Sequence, residues 1–103
     1  MPSSRNYIFK AEIEISTAIN AFDLIESLRP HWLEGRGIKS IRNRTESLPV
    51  VYVDGQRFGD VLSLSTIPVY NITIIQYISS GDATIRFGIG HSGGAILITM
   101  FSY

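Results

Sequence analysis

"GIGHSGGAILITM", residues 88–100, is the stretch whose reading decides the fold. Gly88, Gly90, Gly93 and Gly94 crowd around His91 and Ser92, and an apolar run follows at once. Such a loop has three uses: it cradles a phosphate, exposes a nucleophile, or reverses the chain before a strand. A phosphate loop needs a helix after its glycines, so that the N-terminal amides meet the anion. In this chain the β-branched run Ala95–Met100 follows instead, and the Lys-Ser/Thr pair of a Walker loop is absent. Adjacent residues on an extended chain face opposite ways, and no third group stands ready to orient a His base, so His91-Ser92 does not read as a nucleophile pair. The expectation is two polar residues in a tight surface turn. Gly88 supplies a left-handed helix end, and Gly90, Gly93 and Gly94 let the chain come close to neighbouring backbone before it enters a central strand.

Working outward, "SGDATIRFG" (80–88) reads as one or two helical turns with Ser80 or Asp82 as cap. "NITIIQYIS" (71–79) is apolar on both faces, the mark of an interior strand. "DVLSLSTIP" (60–68) holds a short helix stopped by Pro68, and "LPVVYVDG" (48–55) is a strand closed by the Asp54-Gly55 turn. In "NAFDLIESLRP" (20–30), Ala21, Phe22, Ile25 and Leu28 fall at helical spacing. Asn20 is placed to cap that helix, Asp23 and Glu26 suit its dipole, and Pro30 stops it. "YIFKAEIEIS" (7–16) alternates apolar and polar residues and predicts a strand with one face in water. As an edge strand it would offer unpaired backbone for dimerisation, with Lys10, Glu12 and Glu14 as partial protection. Residues 1–6 form a leader and 7–103 one domain. Alternating strands and helices predict an α+β fold: a small mixed sheet of about four strands with two or three short helices packed on it.

Composition narrows the function. At 103 residues, with 45% hydrophobic and 17% charged, the chain suits one folded domain with one modest core. Nine basic residues balance nine acidic ones, which removes the footprint of a general nucleic-acid binder. The absence of cysteine excludes disulfides and thiolate metal sites, and two histidines without an acidic cluster at ligand spacing make no metal site. Neither a cofactor nor a catalytic residue is expected. No apolar run reaches the roughly 20 residues of a membrane-spanning helix, and "MPSSRNYIFK" lacks the hydrophobic stretch of a signal peptide. Arg36, Lys39, Arg42 and Arg44, flanked by Glu34 and Glu46, are the one concentration of basic charge and the candidate partner contact. With Gly90-His91-Ser92-Gly93, which spells the backbone clamp of KH domains, they support an alternative reading as a small nucleic-acid-binding domain. Asn43-Arg44-Thr45 and Asn71-Ile72-Thr73 match the glycosylation sequon, a pattern short enough to recur by chance.

Three segments in fixed order carry a resemblance: "NAFDLIESLRP", "LPVVYVDGQRFG" and "IPVYNITIIQYISSGDATIRFGIGHSGGAILITM". Together, residues 20–101 resemble the plug domain of TonB-dependent outer-membrane receptors. The third segment is the most specific: Ile67-Pro68, Ile72, Ile75, Tyr77, Ala83, Phe87-Gly88, Gly93-Gly94-Ala95-Ile96 and Ile98 each fit the family's residue types. Gln76 stands where the family commonly has an acidic residue. The resemblance implies a module without catalysis that occludes a barrel lumen or contacts a protein or ligand. Its expected place is the cell envelope, on the periplasmic side of the outer membrane. A barrel of about 22 strands, each of about 9–11 residues, needs far more than 103 residues. The expected partner is therefore a β-barrel or another envelope protein, with the chain a monomer or an edge-strand dimer.

Overall fold

The computed structural model describes residues 5–33, 48–91 and 93–100. The fold is α+β. Five strands form one mixed sheet: β1 (Tyr7–Phe9), β2 (Val50–Val53), β3 (Gln56–Asp60), β4 (Ile72–Ile78) and β5 (Ala95–Met100). Their spatial order is β1-β4-β5-β2-β3. All neighbours are antiparallel except β2 and β5, which run parallel. The interior position expected for 71–79 and for the apolar run after Gly94 holds: β4 and β5 lie side by side inside the sheet.

Pairing lines up Ile8, Ile75, Ile98 and Val53 across one row of the sheet. This face carries the main core. The helix α2 (Ala21–Leu28) and 3-10 turns at Pro30–Leu33 and Val61–Thr66 supply Leu24, Ile25, Trp32, Val61 and Leu64 to it, all buried. Each such large side chain removed from water contributes roughly 1.5–3 kcal/mol. The α2 helix begins as its sequence indicates: Asn20 Oδ1 accepts from the Asp23 amide at 2.8 Å, satisfying a donor that no helix turn reaches.

The opposite face is built from the alternate residues, in rows such as Tyr7–Gln76–Leu97–Tyr52. On it, α3 (Ser80–Phe87) lays Ala83 and Phe87 against Val50, Tyr52, Ile78 and Ala95. Its cap is Ser79, whose Oγ accepts from the Asp82 amide, rather than Ser80 or Asp82.

One further expectation is corrected. Residues 7–16 are not one strand. Pairing stops after Phe9, and Lys10–Ile15 form the helix α1. Over six residues a period of two and a helical period are hard to tell apart, and Lys, Ala and Glu favour helix. Glu12 Oε2 accepts from the Phe9 amide at the helix start, Ile13 is buried, and Ile15 is left 85% exposed. The sheet has five strands, in keeping with the small mixed sheet of about four that was expected. The additional one, β3, contains a single large apolar residue, Phe58, and lies at the sheet edge, so it shows no burial pattern.

Candidate functional site

The glycine turns and His91 form the site that the sequence singles out. Asp54 (φ 51°) and Gly55 (φ 86°) both have positive φ, as the tight hairpin turn joining β2 and β3 requires. Asp54 also ties that tip to β5: its amide donates to the Ile98 carbonyl at 2.8 Å, and its Oδ1 accepts from the Met100 amide at 2.9 Å.

At the other end, Gly88 (φ 94°) closes α3, its amide donating to the Thr84 carbonyl at 2.8 Å. Gly90 (φ 97°) is exposed and has open space around it. Gly94 (φ 88°) is different. A Cβ there would collide with the Ile78 carbonyl oxygen and meet Tyr77 Oη at 2.7 Å. Gly93 is buried beside it, and Tyr77 Oη donates to its carbonyl at 3.1 Å. Among these glycines, Gly94 is the one that both conformation and close packing demand.

His91 does not lie on the surface as expected; it is 2% exposed. Its Nδ1 lies 2.9 Å from the Gly88 carbonyl, which only accepts, so Nδ1 carries the proton. In the neutral ring Nε2 then accepts from Tyr52 Oη at 2.8 Å. The ring lies near-parallel to Tyr52, and Phe87 completes the cluster, with ring centroids 5.8 and 5.6 Å from His91. Both nitrogens are spent inside the fold. The imidazole therefore works as a cross-link between the turn and β2. The sequence signal for it was weak, since a His among glycines commonly marks a solvated turn. Its partner Tyr52 sits 39 positions away.

Gly90–Gly93 connects α3 to β5, so it does not stand between two helices as a KH clamp does. Arg36, Lys39, Arg42 and Arg44, the expected partner contact, lie outside the described residues, as do Ser92 and the sequon at Asn43. Asn71, in the second sequon, is exposed at the start of β4. Among the described residues, no three His, Cys, Asp or Glu side chains converge as a metal set, and no helix is long and apolar enough to cross a membrane.

The edge expected to invite pairing is occupied. β1 does lie at the sheet edge, but side chains meet backbone groups of β1 and of Arg5 just before it. Trp32 Nε1 donates to the Arg5 carbonyl at 3.0 Å, Arg29 Nη2 donates to the Tyr7 carbonyl at 2.8 Å, and Glu12 takes the Phe9 amide. Arg29 also binds Glu12 Oε1 at 2.8 Å, which joins two of these blocks into one. Of the residues expected to protect this strand, Glu12 does so directly, while Lys10 and Glu14 pair with each other on α1 at 3.7 Å.

Compared with known proteins, the chain matches no family model, no curated protein and no solved structure.

Proposed function

We propose that this chain is a non-catalytic, plug-like module that acts by contact with a protein of the cell envelope, a β-barrel or a neighbour of one. The observation that carries the reading is where the second and third resembling segments meet. The strand of "VVYVDG" runs parallel to and hydrogen-bonds with "AILITM", and Gly94 passes against β4 where an added Cβ would meet the Ile78 carbonyl. Residues that carry the resemblance, among them Gly94, Ala95, Ile96 and Ile98, thus form the parallel pairing at the centre of the sheet. The buried imidazole supports the same reading: a histidine with both nitrogens engaged is unsuited to general-base work.

The reading is tested in cells that carry the natural gene with its own flanking codons. A photo-crosslinking amino acid at exposed Ile85 or Ile15, followed by mass spectrometry of the adducts, is expected to capture outer-membrane or periplasmic proteins. Adducts confined to cytoplasmic proteins or nucleic acid would overturn it.

A further inference from the structure

The two edges of the sheet differ. Side chains of Glu12, Arg29 and Trp32 close the β1 edge, whereas β3 pairs with β2 on one side and, among the described residues, with nothing on the other. Which groups of β3 face outward follows from β2. The Val50 amide donates to the Gly94 carbonyl and the Asp54 amide to that of Ile98. Val50, Tyr52 and Asp54 therefore turn their backbone toward β5, and Val51 and Val53 turn theirs toward β3. The residues opposite Val50 and Tyr52 are Asp60 and Arg57. Their backbone groups point away from the sheet, where another strand can meet them.

The step between these two positions selects that strand. A regular strand presents outward groups at every second residue. On β3 the pairing slips opposite Val51 and Tyr52, a bulge that sets Arg57 and Asp60 three residues apart. A strand without the bulge does not meet both in register. A second copy, antiparallel about a two-fold axis, carries the same step: Arg57 meets Asp60 of the copy, and Asp60 meets its Arg57.

The side chains fit this register. Arg57 is exposed and has no ion-pair partner among the described residues. Asp60 gives Oδ1 to the Leu62 amide at 3.0 Å, which leaves Oδ2 for a cation. Opposite charges facing each other stabilise a strand pair, while the other two-fold register, Arg57 on Arg57, sets like charges together. Between the two charged pairs, Phe58, 49% exposed, falls opposite Gly59, so an aromatic ring covers a position that has no side chain.

We infer that β3 pairs antiparallel with β3 of a second copy of this chain, joining two five-strand sheets into one. The inference goes beyond the protein-contact reading and does not depend on it. So short a pairing buries less than the roughly 1,200 Å² of a standard interface, so the dimer is weak, with a Kd on the order of 10–1,000 μM.

The test is sedimentation equilibrium of the full chain from about 10 μM to about 1 mM, where a monomer–dimer equilibrium is expected. Arg57→Glu sets two acids opposite each other and Asp60→Lys two bases, and each alone is expected to weaken dimerisation at least about tenfold. Mixed in equal amounts, the two variants are expected to recover it, because both pairs then join opposite charges. Circular dichroism confirms that each variant folds. Should Asp60→Lys, which gives up the cap on Leu62, not fold, amide exchange takes its place, with the Arg57 amide of the wild-type chain expected to slow as concentration rises. A wild-type monomer throughout, association undiminished by Arg57→Glu, or a mixture no more associated than its components would each overturn the inference. With the second variant unfolded, concentration-independent exchange at Arg57 would do the same. A photo-crosslinker at exposed Gln56 that captures other proteins and never this chain would give the edge to a different strand.

Discussion

Tyr52 Oη and His91 Nε2 are 2.8 Å apart, and this contact fastens the turn after α3 to the middle of β2. The pair is buried, so nothing from solvent replaces a lost partner. Tyr52→Phe keeps the ring that stacks on Phe87 at 4.1 Å but orphans the imidazole nitrogen. The expected cost is about 1–3 kcal/mol, read as a lower urea midpoint with an unchanged slope. Stability equal to wild type would show that the hydrogen bond contributes nothing.

Gly94→Ala and Gly90→Ala separate conformation from collision. Both positions have positive φ, but only Gly94 is pressed against Ile78 and Tyr77. Gly90→Ala is expected to cost about 1 kcal/mol. Gly94→Ala should exceed that by at least about 2 kcal/mol, because the Ile78 backbone must shift to admit a methyl group. Thermal melts of the two variants give the order directly.

The block on the β1 edge is open to measurement through Arg29, whose side chain is 11% exposed. Arg29→Ala removes donors to the Tyr7 carbonyl and to Glu12 together, at an expected cost of about 1.5–3 kcal/mol. Trp32→Phe retains an aromatic ring to stack on Tyr77 but loses the indole donor to Arg5, for about 1 kcal/mol. Sedimentation of the double variant is expected to show more association than that of the wild-type chain, since unpaired strand edges recruit other chains.

Asn20→Ala should cost about 1 kcal/mol by removing the α2 cap, while Asn20→Asp, which keeps an acceptor at the same place, should cost far less. Urea denaturation of both variants distinguishes loss of the cap from a general effect at the site.

Labelled single-stranded DNA and RNA titrated at low salt should show no saturable binding. The chain has no net charge, and its GxxG turn leads from a helix into a strand. Binding that weakens steeply with added salt would revive the nucleic-acid reading, with Arg36, Lys39, Arg42 and Arg44 as its first suspects.

Much of this architecture was legible in the chain because it rests on local rules. Asn20 before an apolar helical stripe, Asp54-Gly55 after a β-branched run, and glycines ahead of "AILITM" act within a few residues of themselves. Their outcome therefore follows from the sequence around them. Apolarity on both faces likewise marked β4 and β5 as interior strands. What the sequence did not disclose depends on residues far apart in the chain. The pattern of Lys10–Ile15 gives no sign that Arg29 holds Glu12 of α1 and the Tyr7 carbonyl from 17 and 22 positions away. Whether His91 lies in water or in the core turns on Tyr52 and Phe87 being brought over it by sheet pairing. Local patterning reports which backbone shape is cheap. Burial and hydrogen-bond satisfaction of a polar side chain are decided only when distant segments pack, because a buried polar group is tolerable only where a partner already waits for it.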